Sequence, residues 1–159
     1  KFSITLNAAW SNDGFTTAAP IVYLIRKTLE EADSFSQAIE YLTEGDIASD
    51  CLLLVCGTED SQMAVVERTP TKSVVRYSND NKIMATNDYK FINTEVKSGI
   101  DELLSSTCNR YDRMEELLTE NCNFTQKRVH DILSDDSVKM GITMQQMYFN
   151  PKQGTYKLF

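Results

Sequence analysis

From Phe2 to Asn7 apolar and polar residues alternate, a period of two that predicts a strand. Ser11-Asn12-Asp13-Gly14 is a turn signal. Beyond Pro20, the residues Ile21, Leu24, Ile25 and Leu29 recur at helical spacing, so a helix is expected over Ile21–Ala32 with proline at its start. Ser34 can cap a second helix, Phe35–Thr43, with Gln37 where a capping box needs it. Phe35, Ala38, Ile39 and Leu42 give that helix a core face, and Gly45 fits its end. After Gly45 the period changes. Cys51–Cys56 reads as a buried strand; Gln62–Glu67, Ser73–Tyr77 and Lys82–Thr86 follow as three more, with turns at Gly57–Ser61 and Asn79-Asp80-Asn81. Such short strands with tight connections predict an antiparallel meander. Residues 88–98 read as irregular. Helices are expected over Asn109–Glu120 and over Thr125–Ser134, the latter capped by Thr125 or Asn123. A closing hairpin is expected from Ile142–Phe149 and Thr155–Phe159. The fold class is α+β, helices packed on antiparallel sheet, in a single domain over residues 1–159.

Bulk properties narrow the function. A chain of 159 residues suits one domain with a real core, and 42% hydrophobic content is ordinary for a globular protein. No apolar run approaches the ~20 residues of a membrane span. The net charge of −7 argues against a nucleic-acid partner, which would need a basic face. Cys51, Cys56, Cys108 and Cys122 contain no C-x-x-C pair, and all four read as free thiols. That favours a reducing, cytoplasmic setting. The sequon Asn123-Phe124-Thr125 points toward a lysosomal or secreted one.

Neither a Gly-rich phosphate loop nor a metal-ligand cluster is visible, so no metal site is expected. His130, the lone histidine, lies in a helical pattern and reads as a surface or half-buried helix residue. The acidic pairs Glu30-Glu31, Glu115-Glu116 and Asp135-Asp136 read as solvated faces or caps. Three places remain: Asn7-Ala8-Ala9-Trp10, Thr86-Asn87-Asp88-Tyr89, and the stretch from Ser105 to Arg113, where Arg110 and Arg113 are one helical turn apart. On pattern alone each admits a structural reading and a functional one. An asparagine can shape a loop or aim a hydrogen bond at a ligand.

The three places recur together in one family. "FSITLN" resembles the family strand ending in Leu-Asn, and "YLIRKTLEEADSFSQAIEYL" resembles the helix pair after it. "MAVVERTPTKSVVR", "ATNDY", "SSTCNRYDRMEELL" and "GITMQQMYFNP" are similar to its later motifs, in order, over nearly the whole chain. The sequence thus resembles the cysteine N-terminal-nucleophile amidohydrolases, a group that includes the penicillin acyltransferases and acid ceramidase, with the choloylglycine hydrolases as distant relatives. The resemblance implies an αββα sandwich and hydrolysis, or acyl transfer, of linear amide C–N bonds. The nucleophile would be an N-terminal cysteine with its own α-amine as general base.

By resemblance, Asn87 offers its side-chain amide to the developing oxyanion, Asn7 builds the other side of the same pocket, and Arg110 is the arginine beside the nucleophile. Trp10, Asp88 and Tyr89 would line the substrate. No cofactor is implied. Ala8 replaces the glutamate of the ceramidase branch, and Asp88 stands where the penicillin acyltransferases often carry histidine. None of the four cysteines matches the family nucleophile. The expectation is therefore a C-terminal portion of such an enzyme, inactive by itself. Its partners would be a small-molecule amide and the missing N-terminal part of the same polypeptide, with strand edges open to homodimerisation. The rival expectation is a degenerate member serving as a binding or interaction module.

Overall fold

The computed structural model describes residues 1–78, 80–93, 105–119 and 124–159. Strands β1 (Phe2–Ala8), β2 (Cys51–Gly57), β3 (Met63–Arg68) and β4 (Ser73–Tyr77) form a four-stranded antiparallel sheet in the order β1-β2-β3-β4. Helices α1 (Ile21–Glu31) and α2 (Phe35–Glu44) connect β1 to β2. They cover one face of the sheet, where Ile21, Phe35, Ile39 and Leu42 pack on Leu53, Val55, Ala64 and Val66.

Local chemistry explains where these helices begin and end. Ser34 accepts the N–H of Gln37, while the Gln37 side chain reaches back to the N–H of Asp33 at 2.7 Å. The capping-box pairing expected from the sequence thus closes one residue further upstream. Gly45 ends α2 at a φ of −64°, which any residue adopts. Its role is close approach, because a Cβ there would lie 2.5 Å from Leu24 Cδ1.

The opposite face of the sheet is also covered, which is why β2 and β3 read as continuous apolar runs. Leu52 and Val65 pack there with Ala9, Tyr89 and Ile92. Helices α3 (Thr107–Thr119) and α4 (Gln126–Leu133) contribute Met114, Leu117 and Ile132 to a further buried cluster that includes Met84. The hairpin β5 (Met147–Asn150) and β6 (Thr155–Leu158) follows. Between the sheet, α3, α4 and β5 lies a cavity of about 560 Å³, lined among others by Asn7, Cys56, Met84 and Met147.

Three expectations need correction. Lys82–Thr86 forms no strand. Ser78 Oγ donates to the Lys82 carbonyl and accepts the Lys82 N–H, at 2.8 and 2.9 Å. This closure turns the chain before a ladder on β4 can start, and sheet side chains take the carbonyls of Met84, Ala85 and Thr86 instead. The first hairpin strand is shorter than Ile142–Phe149, because Met140–Thr143 forms a turn and Ile142 and Met144 are exposed. Helix α3 begins at Thr107, two residues before the expected start. Thr125 caps α4, accepting the Arg128 N–H at 3.2 Å. His130 lies half-buried in α4, its ring 4.2 Å from that of Phe159. The expectations for Asn79, Glu120, Cys122, Asn123 and residues 94–98 fall outside the described residues.

Arg113 of α3 grips Asp135 just beyond α4, with its NH2 nitrogen 2.7 Å from Oδ2, and so ties the two helices. That hydrogen bonding, with help from the Ser137 N–H, holds the Asp135 carboxyl below the usual carboxylate range. Stabilisation from a depressed pKa is complete above the unfolded value of about 3.9 and disappears as pH falls through the lower folded value. Protection factors of the α3 and α4 amides, with the intrinsic pH dependence of exchange divided out, should therefore be flat through neutral pH and fall only below about pH 4. Asp135→Asn should remove that acid-dependent component.

Candidate active site

Strand register sets the stage. Asn7 pairs with Leu52, Leu52 with Glu67, and Glu67 with Val74, so these four form one row across the sheet. Asn7 projects away from α1 and α2. Its Nδ2 donates to the carbonyls of Ala85 at 3.2 Å and Thr86 at 2.8 Å. The chain passing over the row thus delivers Asn87 to the end of β1.

Asn87 is 8% exposed and bonded through its backbone N–H and both ends of its carboxamide. Its backbone N–H donates to Thr107 Oγ1 at 2.9 Å, and that hydroxyl in turn donates to Thr86 Oγ1 at 2.9 Å. Its Nδ2 donates to the Ala8 carbonyl at 2.9 Å. Its Oδ1 accepts from an Arg110 terminal nitrogen at 2.8 Å, while Arg110 Nε donates to Ser106 Oγ at 3.0 Å. Arg110 is itself buried, and burial lowers its pKa from the ordinary arginine value. From so high a starting point the group stays charged at neutral pH.

The structure therefore brings Asn7, Asn87 and Arg110 together. Trp10 stands next along, lining a smaller cavity of about 210 Å³ with Ala8, Phe15 and Asp50. The two cavities adjoin consecutive residues of β1, Asn7 and Ala8. Asp88 is half-buried beside Asn87. Tyr89 points into the core, where its hydroxyl donates to the Arg68 carbonyl at 2.8 Å and burial raises its pKa. It is placed as a post for the loop. Arg113 is tied to Glu116 and Asp135, away from this group.

The cysteines behave differently from a nucleophile. Burial pushes the Cys51 thiol up to about 12 and the Cys56 thiol up to about 11, so both stay protonated at neutral pH. Cys108 is an exposed residue of α3. Among the described residues no group of His, Cys, Asp and Glu is placed to hold a metal ion.

Sequence reasoning missed two residues that shape the site, Glu67 and Arg76. Glu67 is fully buried within β3, and Arg76 of β4 donates to the Met84 carbonyl at 2.8 Å. The available signal was a charge following "MAVV" in a strand buried on both faces, where an unpaired carboxylate would be costly.

Residues 4–154 match the sequence profile of a family described as acyl-coenzyme A:6-aminopenicillanic acid acyl-transferase. The chain belongs to that family. No curated protein matches it. Among solved structures it is similar to a Caenorhabditis elegans ortholog of N-acylethanolamine-hydrolyzing acid amidase, with a TM-score of 0.69 and 19% identity, over 96% of this chain and 67% of that one. The fold of this acyl-transferase family member is therefore that of a cysteine N-terminal-nucleophile hydrolase, an α+β sandwich. Family and fold together support a hydrolase or acyltransferase kind of function.

The Thr107 hydroxyl is the only described acceptor for the buried Asn87 N–H. Thr107→Val keeps the shape and removes the acceptor. Urea unfolding should register a loss of about 1–3 kcal/mol, the cost of a buried donor left unmade. An unchanged midpoint and slope would show that the N–H finds another partner.

Proposed function

We propose that this chain is the framework part of an enzyme that hydrolyses linear amides or transfers their acyl group, through an N-terminal cysteine supplied by polypeptide outside residues 1–159. The observation that carries this reading is the state of the Asn87 carboxamide. Its NH2 group has two hydrogens. One goes to the Ala8 carbonyl and the other donates to no described residue. On the oxygen side, the Arg110 guanidinium withdraws charge from Oδ1, which makes the remaining N–H a stronger donor. A fixed, polarised donor held against Ala8, which lines the smaller cavity, suits an amide carbonyl that becomes an oxyanion during attack.

The large cavity supports the same reading. The N–H groups of Ile83, Met84, Ala85 and Thr86 donate to no described residue, and Ile83, Met84 and Ala85 line the cavity. Unmatched backbone donors along an apolar gap are a template for added strands. Such strands, contributed by the rest of the polypeptide, would run between this segment and β5 and end near Asn7 and Asn87. The substrate would be a small-molecule amide.

Two observations favour the second reading, a degenerate member acting as a binding module: the thiols of buried Cys51 and half-buried Cys56 are held protonated, and Ala8 carries no acid. Mass spectrometry of the whole gene product discriminates the two. The enzymatic reading expects a processed chain with cysteine as its first residue and turnover of amide substrates. In that protein, Asn87→Ala should lower kcat by roughly 10²–10³, as loss of one oxyanion donor does. Near-normal turnover in this variant would remove Asn87 from the chemistry.

A further inference from the structure

Glu67 is 0% exposed. Its carboxylate accepts the backbone N–H groups of three consecutive residues: Lys90 at 3.0 and 3.2 Å, Phe91 at 2.9 Å and Ile92 at 2.9 Å. Successive N–H groups converging on one point form an anion nest, and here the protein supplies the anion from its own sheet. Arg76 lies diagonally across from Glu67, because Glu67 pairs with Val74. Its Nε is 3.6 Å from Glu67 Oε1 and, although buried, has no hydrogen-bond partner. Its Nη2 instead donates to the Met84 carbonyl at 2.8 Å.

The two charges hold one another and, between them, the chain on both sides of Asn87. Arg76 grips Met84, upstream. Glu67 grips Lys90 to Ile92, downstream. The 82–92 segment has no helix or strand to give it stiffness. A carboxamide on such a segment would ordinarily sample several orientations. Oxyanion stabilisation needs a donor placed within a few tenths of an ångström before the reaction begins. A carboxylate does this better than an amide would, since all four of its lone-pair directions accept, whereas a glutamine would aim two hydrogens back at the nest.

We infer that Glu67 and Arg76 are positioning residues, a buried ion pair that fixes the Asn87 carboxamide by clamping the backbone before and after it. The inference rests on the reading of Asn87 as an oxyanion donor. The clamping itself can be measured without any substrate.

The experiment uses Glu67→Gln in the whole gene product, with two readouts. The first is amide exchange at Lys90, Phe91 and Ile92, expected to quicken at least roughly tenfold while α1 and α2 keep their protection. Unchanged exchange at these three amides overturns the clamp, whether or not the protein is an enzyme. The second is turnover: E67Q should lower kcat with little change in KM, and should cost nothing further in the Asn87→Ala background. Additive losses in the double variant would mean that Glu67 does not act through Asn87. Should E67Q fail to fold, Arg76→Lys keeps the positive charge and releases Met84. The Asn87 side-chain NH2 resonances should then move, and an unmoved pair would overturn the proposal.

Discussion

A sheet buried on both faces can carry a charge only if something satisfies it. In this protein the row Asn7–Leu52–Glu67–Val74 puts two polar side chains on the face turned away from α1 and α2. Across that face runs a segment without regular secondary structure, whose backbone groups would otherwise be stranded among apolar residues. Each problem answers the other. Asn7 takes the carbonyls of Ala85 and Thr86, Arg76 that of Met84, and Glu67 the N–H groups of Lys90 to Ile92. A buried polar network of this kind is rigid where its bonds are made. Here it supplies the rigidity that a loop lacks.

The carboxamide of Asn87 is held where this network meets α3. The helix contributes the hydroxyl of Thr107 to its backbone and the guanidinium of Arg110 to its oxygen. The sheet contributes the carbonyl of Ala8. Orientation of one side chain therefore depends on the docking of a helix as well as on the sheet. That docking rests on Met114 and Leu117 in the core and on the Arg113–Asp135 tie at the surface. The surface pair is exposed to screening and contributes little by itself. The apolar contacts carry the placement.

How much of this could be read from the sequence follows from what each signal reports. Helices α1 and α2 were legible because period and caps agree: apolar residues at helical spacing, with Ser34 and Gln37 at the start of the second. Strands β2 and β3 were legible from short apolar runs bounded by turns. Lys82–Thr86 was misread because an apolar run such as Ile83-Met84-Ala85 reports which side chains are buried and is silent about where the backbone bonds go. Glu67 escaped notice because a charge beside Thr69-Pro70 looks like the end of a strand. Asn7, Asn87 and Arg110 came from the resemblance, since an asparagine that shapes a loop and one that aims at a ligand look alike in a single sequence. Tyr89 shows the limit of carrying over a motif whole: its neighbour Asn87 faces Arg110, while Tyr89 itself turns into the core to meet Arg68.

The thiols sharpen what this framework can and cannot do. A cysteine nucleophile needs its thiolate favoured by a nearby cation. Cys51 feels Arg68, but burial outweighs that attraction; Cys56 is raised by burial with no cation opposing it. Arg110 instead lends its charge to the Asn87 oxygen. On the proposed reading the division is orderly. The described residues prepare a place for negative charge on a carbonyl oxygen, with a donor polarised from behind and braced from both flanks. The sulfur that generates that charge would arrive on a strand from the open side of the 82–86 segment. A group delivered that way would come along the cavity that Asn7 lines, toward a carboxamide whose second N–H donates to no described residue.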